Sequence, residues 1–127
     1  MKAMVLAAGK GSRLAPLTNK TPKPLLPVQG RPLIFHLLDQ LEQAGVNEVI
    51  VNTHHLGEQI EHALTRDKGV QLSVRFSREN ELLETGGGIK KALPLLQQSM
   101  FWLCNADTFS DFDFTHLPTT LQAGDLA

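Results

Sequence analysis

The apolar residues of this chain fall into short blocks separated by glycine and proline, and the period within the blocks changes along the sequence. Ala3-Met4-Val5-Leu6-Ala7-Ala8 is a continuous apolar run closed by Gly9 and Gly11, which predicts a first strand covered on both faces, as in a parallel sheet. From Pro16 to Pro32 come five of the seven prolines. Each removes a backbone donor and fixes φ, so this stretch is expected to be an ordered loop. Ile34, Leu37, Leu38 and Leu41 then recur at helical spacing, with Pro32 where a first helical residue would stand and Gly45 as the stop. Val49-Ile50-Val51 predicts a second strand, and Leu56, Ile60, Ala63 and Leu64 a second helix ending before Gly69. Val70, Leu72, Val74 and Phe76 alternate with Gln71, Ser73 and Arg75, the pattern of a third strand with one more polar face. Gly86 to Gly88 are expected to lead into a short third helix through Ile89, Ala92 and Leu93 that Pro94 ends or bends, and Phe101-Trp102-Leu103-Cys104 predicts a fourth strand.

Strands alternating with helices imply an α/β fold: a doubly wound, mostly parallel, Rossmann-like sheet with helices on both faces and right-handed crossovers. Such sheets bind ligands beyond the carboxyl ends of their strands. Three polar segments are expected there: Gly9 to Arg13 after the first strand, Glu79 to Gly88 after the third, and Asn105-Ala106-Asp107 after the fourth.

A length of 127 residues with 42% hydrophobic content suits one domain, residues 1–127, with a sizeable core. Twelve basic and thirteen acidic residues leave a formal charge of −1, which argues against nucleic acid or an anionic membrane as a partner and makes any phosphate affinity local. The single cysteine, Cys104, excludes an internal disulfide framework and fits a reducing compartment. The apolar run near Lys2 is too short for a signal-peptide core, and no stretch approaches the ~20 apolar residues of a membrane span, so a soluble, cytoplasmic protein is expected.

The glycines of Gly9-Lys10-Gly11-Ser12-Arg13 allow backbone amides to approach an anion, and Lys10 and Arg13 add the charge a triphosphate needs. The spacing is not that of a Walker loop, and Leu14 stands where a dinucleotide fingerprint has its third glycine, so a glycine-rich turn with two solvated cations is an equal reading of the pentapeptide alone. In Thr21-Pro22-Lys23-Pro24-Leu25, both Thr21 and Lys23 precede proline and are expected to be extended. The Lys23 ammonium is thereby aimed, as a point charge suited to a phosphate, although a lysine in a surface proline turn reads the same way.

Together, Leu6-Ala7-Ala8-Gly9-Lys10-Gly11-Ser12-Arg13-Leu14, Pro16-Leu17-Thr18, Pro22-Lys23-Pro24-Leu25, Pro27-Val28 and Gly30-Arg31-Pro32-Leu33-Ile34 resemble the signature of the sugar-phosphate nucleotidyltransferases. Leu83-Glu84-Thr85-Gly86-Gly87-Gly88-Ile89, Asn105-Ala106-Asp107 and Asp111-Phe112-Asp113-Phe114 resemble most closely the bacterial N-acetylmuramate-1-phosphate uridylyltransferases of peptidoglycan recycling. Relatives that make GDP-mannose or GDP-heptose share much of this pattern. The resemblance implies an enzyme that joins a nucleoside triphosphate, UTP in preference, to a sugar 1-phosphate and releases pyrophosphate. It implies that Ala8, Gly9, Gly11, Ser12 and Arg13 hold the triphosphate and that Lys23 contacts the phosphates of both reactants, with Arg13 and Lys23 the catalytic cations. It further implies that Glu79, Glu84 and Gly87 lie along the base, that Asn105 meets the sugar substrate, and that Asp107 binds Mg2+. Family members often carry glycine at position 106, where this chain has Ala106.

The chemistry agrees with this inventory. A sugar 1-phosphate is already anionic and needs no general base to attack the α-phosphorus, so the obstacle is bringing two polyanions together. Glu84 could accept from uracil N3 or from two guanine donors, so the side chains do not choose the base, and Glu84 also suits a helix N-terminus. Spacing gives the five histidines, His36, His54, His55, His62 and His116, structural or surface roles, and Asp111 and Asp113 the role of turning the chain after the fourth strand.

Catalytic domains of the family are nearly twice as long. The resemblance thus implies that a second Mg2+ ligand and much of the sugar pocket lie in a C-terminal half beyond Ala127, and that an open sheet edge here favours a homo-oligomer. A mannose- or heptose-1-phosphate guanylyltransferase and a non-catalytic nucleotide-binding domain are the competing readings.

Overall fold

The computed structural model describes residues 1–66 and 69–125. The first apolar run forms β1 (Lys2–Leu6), with Ala3, Met4 and Val5 fully buried, and the chain leaves the strand at Ala7 and Ala8. The proline-rich stretch is an ordered loop with two single 3-10 turns, Leu17–Asn19 and Lys23–Leu25. It ends in a hairpin, β2 (Pro27–Val28) against β3 (Arg31–Pro32), whose connecting residues Gln29 and Gly30 both have positive φ, as a two-residue turn of this hand requires.

The helix α1 (Leu33–Gln43) begins one residue after Pro32. It ends at Gly45, whose φ of 89° closes a Schellman turn: Val46 N–H donates to the Leu41 carbonyl and Gly45 N–H to that of Glu42. There follow β4 (Glu48–Thr53), α2 (Gly57–Arg66), β5 (Ser73–Arg78), α3 (Glu84–Leu96) and β6 (Phe101–Asn105). The sheet has the order β5-β4-β1-β6 and every pairing in it is parallel, with Lys2 opposite both Glu48 and Phe101. Alternate residues of β1 face opposite layers. Ala3 and Val5 pack with Ile34, Leu38 and Leu41 of α1 and Ile60 of α2, while Met4 packs with Ile50 and with Ala92 and Leu96 of α3. Two helices on one face and one on the other make this a doubly wound α/β sheet.

Two expectations are corrected. The third strand begins at Ser73, because β4 offers partners only from Glu48 onward; Val70 and Leu72 pack on the core ahead of it. The third helix is longer than predicted. It starts at Glu84, takes in all three glycines and continues through Pro94 to Leu96, since burial of Gly88, Ala92 and Leu96 against the sheet outweighs the poor helical propensity of this stretch. Among the described residues no helix is long and apolar enough to cross a membrane.

Cys104 on β6 is half-buried, and burial pushes its thiol up to about 11. Asp113 caps a 3-10 turn by accepting from Thr115 N–H at 2.9 Å, and the rings of Phe112 and Phe114 meet edge to face with centroids 5.5 Å apart. At the sheet edge, Leu103 of β6 is 46% exposed.

Candidate active site

Because the four strands are parallel, their carboxyl ends share one rim, and a cleft of about 510 Å3 opens there. Its floor is the chain leaving β1. Gly11 has φ of 64° and precedes a 3-10 turn, Ser12–Leu14, closed by Leu14 N–H donating to the Gly11 carbonyl at 3.0 Å. Among the described residues, no protein acceptor takes the backbone N–H of Gly9, Lys10 or Gly11. Three donors in a row beside two exposed cations, Lys10 and Arg13, form a cradle for an anion.

Gly11 is fixed by Thr18, which is 1% exposed and donates from Oγ1 to the Gly11 carbonyl at 2.6 Å. A Cβ on Gly11 would stand 2.9 Å from Thr18 Cγ2. Thr18 cannot swing aside without losing that bond, so Gly11→Ala is expected to destabilise the fold by about 2 kcal/mol through steric overlap and left-handed backbone strain. Thermal or urea unfolding measures it, and unchanged stability would disprove the account.

Lys23 departs from its expected geometry. It is not extended but opens a 3-10 turn, Lys23–Leu25, held by Leu25 N–H to the Pro22 carbonyl at 2.9 Å and Leu26 N–H to the Lys23 carbonyl at 3.1 Å. These bonds and the burial of both flanking prolines outweigh the moderate preference of a pre-proline residue for extended backbone. The ammonium is aimed all the same: Nζ donates to Asp107 Oδ2 at 2.9 Å across the cleft. Asp107 follows β6, where Ala106 N–H donates to the Leu6 carbonyl at 3.0 Å and ties the two strand ends together. Ala106 is fully buried.

Ala8, Gly9, Gly11, Ser12, Arg13, Lys23, Glu84, Asn105 and Asp107 all line the cleft. Glu84 does so from the first turn of α3 with a φ of 58°, a strained value for a residue with a side chain. Two of the residues expected to meet the nucleotide, Glu79 and Gly87, are not in the cleft lining. Glu79 is 5% exposed and does not line the cleft; Oε1 accepts from Asn52 Nδ2 at 2.9 Å and Oε2 from Leu83 N–H at 3.1 Å. Gly87 is outside the lining too, and a Cβ there would stand 2.9 Å from Leu83 Cβ, so it serves the packing of α3 on its own entry loop.

Asn52, at the end of β4, is a cleft residue that motif and spacing do not single out. It lines the cleft at 3% exposure, and its Oδ1 accepts from Ala7 N–H at 2.7 Å. The available signal is a polar residue directly after the apolar run Val49-Ile50-Val51. His55 Nε2 donates to the Thr18 carbonyl at 2.7 Å, His54 Nδ1 to that of Glu79 at 2.9 Å, and His36 Nε2 to that of Val28 at 2.7 Å, so these three rings brace loops. Among the described residues no group of three or more His, Cys, Asp or Glu side chains could hold a metal ion unaided.

Comparison with known proteins matches residues 2–124 to the Nucleotidyl transferase family. The chain is 50% identical over 116 residues to the N-acetylmuramate alpha-1-phosphate uridylyltransferase of Neisseria meningitidis, covering 91% of this chain and 50% of that protein. It is 46% identical over 109 residues to the enzyme of the same name from Caulobacter vibrioides, covering 84% of this chain and 45% of that protein. The crystal structure of HddC from Yersinia pseudotuberculosis complexed with GMP-PN is similar with a TM-score of 0.80 at 34% identity, covering 89% of this chain and 50% of that one. The chain thus spans about half the length of the curated relatives it matches. With a glycine cradle, a lysine and a carboxylate on one rim of a doubly wound sheet, and a match along nearly its whole length, the chain belongs to the nucleotidyl transferase family.

Proposed function

We propose that residues 1–127 are the N-terminal, nucleotide-binding portion of a single nucleotidyltransferase domain that joins UTP to N-acetylmuramate 1-phosphate and releases pyrophosphate, in the recycling of cell-wall sugars. The observation that carries the reading is the convergence of the Gly9–Arg13 cradle, Lys23 and Asp107 on one cleft. The choice of base and sugar is supported by identity to the two bacterial uridylyltransferases.

In this reading the backbone amides of Gly9, Lys10 and Gly11 and the Arg13 guanidinium take the triphosphate oxygens. Lys23 turns from Asp107 to the α-phosphate and offsets charge that builds during in-line attack. Asn105 beside Asp107 meets the sugar phosphate, and Glu84 accepts from the base. Asp107 suits Mg2+: it is an exposed carboxylate at the mouth of an anion cradle, and this ion commonly binds proteins through one or two carboxylates plus substrate phosphates. When bound there, Mg2+ would neutralise phosphate charge and align the leaving group.

The similarity to a protein solved with GMP-PN favours one second reading, a guanylyltransferase acting on mannose or heptose 1-phosphate. Calorimetric titration of the full-length protein with UTP and GTP in Mg2+, paired with pyrophosphate release on addition of each sugar 1-phosphate, separates the two. Binding and turnover with UTP are expected; a response to GTP alone would overturn the uridylyl assignment.

A further inference from the structure

Asn52 and Glu79 are buried between two loops of the cleft and are bonded in a fixed direction. The atom of Asn52 that faces Ala7 N–H must be an acceptor, so it is Oδ1, and Nδ2 is thereby turned to Glu79. Glu79 consequently meets a donor on each side, Asn52 Nδ2 at Oε1 and Leu83 N–H at Oε2. Only a carboxylate accepts at both ends. The chain of bonds runs from Ala7, two residues ahead of the Gly9–Arg13 cradle, to Leu83, next to Glu84.

Helix α3 is seated on this pair. A Cβ on Gly88 would stand 2.7 Å from Glu79 Oε1 and 2.8 Å from Asn52 Nδ2, which leaves no room for a side chain there. The backbone of Glu79 is held as well, with its N–H donating to the Thr53 carbonyl at 2.8 Å and its carbonyl accepting from His54.

We infer that Glu79 is a positioning residue that acts through Asn52, holding the phosphate cradle and the Glu84 loop at a fixed separation, and that it touches neither nucleotide nor sugar. This rests on the nucleotide-binding reading of the cleft. In Glu79→Gln the side-chain amide confronts one of two buried donors with a third, whatever its orientation. Adding Asn52→Asp restores every bond at the same net charge. The carboxylate now on β4 accepts from Ala7 N–H and from the introduced amide, whose carbonyl oxygen accepts from Leu83 N–H.

The test uses Glu79→Gln, Asn52→Asp and the double variant, with melting curves and calorimetric affinities for UTP and for inorganic triphosphate taken well below the lowest melting temperature. Glu79→Gln is expected to melt about 5 °C lower and to bind UTP and inorganic triphosphate each about tenfold more weakly. The double variant should recover the melting temperature. Unchanged binding of inorganic triphosphate by Glu79→Gln would show that the cradle does not depend on this pair and would overturn the inference, as would a double variant that melts no higher than Glu79→Gln. Where Glu79→Gln fails to fold, return of a cooperative melt in the double variant supports the inference and continued failure to fold overturns it. If the unaltered protein binds neither probe, the nucleotide reading fails, while recovery of the melting temperature still decides whether the bonded pair is as described.

Discussion

In the complete nucleotidyltransferase domain that we propose, Asp107→Ala is expected to lower Mg2+-dependent turnover by about 10^3-fold, since a bound divalent ion supplies several kcal/mol of transition-state stabilisation and each ~1.4 kcal/mol is a factor of ten. The Lys23 ion pair sharpens this. In the structure Lys23 Nζ lies 2.9 Å from Asp107 Oδ2, with the side chains 33% and 47% exposed, so the pair is weak, worth about 1 kcal/mol at most. A divalent cation is expected to displace it readily. Losing Asp107 therefore frees Lys23, and nucleotide binding measured without Mg2+ should stay the same or tighten slightly while Mg2+ no longer strengthens it. Turnover within tenfold of the unaltered protein, or Mg2+ still tightening the binding of UTP, would remove Asp107 from the metal site.

Lys23→Met has the second-largest expected effect. A charge-assisted bond to phosphate is worth about 1.5–3 kcal/mol, so UTP affinity should fall roughly 10- to 100-fold, and turnover by about 10^2- to 10^3-fold, because the cation is aimed where charge develops. Lys23→Arg should recover little. The 3-10 turn and the two buried prolines fix the point from which the side chain starts, and a planar fork does not reproduce a compact ammonium there. Without nucleotide, Lys23→Met should bind Mn2+ a few-fold more tightly, as Asp107 no longer has a competing partner. Equal loss of UTP affinity in Lys23→Arg and Lys23→Met would support this; full recovery in Lys23→Arg would show that charge alone is needed.

The strands and helices are legible in the sequence wherever one period of burial dominates, as in the apolar run of β1 and the Ile34, Leu37, Leu38, Leu41 stripe of α1. The cradle and Lys23 are legible because chemistry and chain proximity coincide there. The full extent of the Glu84–Leu96 helix is not, because three glycines and a proline oppose helix formation locally, and only the sheet beneath reverses the balance. Glu79 is placed along the base by the family resemblance alone. Its burial depends on Asn52, which is distant in sequence and becomes its neighbour only once β4 and β5 pair. Gly88 likewise reads only as part of the glycine lead into a helix, whereas its lack of a side chain is required by that same buried pair.

The position of β1 has a consequence for synthesis. Its edges are taken by β4 and β6, so the first of the described strands to leave the ribosome must wait for Phe101–Asn105, the last of them, before its hydrogen bonding is complete. Such distant pairing slows folding and leaves an apolar, unpaired backbone open to aggregation in the interval. Nascent chains stalled before β6 are the ones expected to depend on a chaperone.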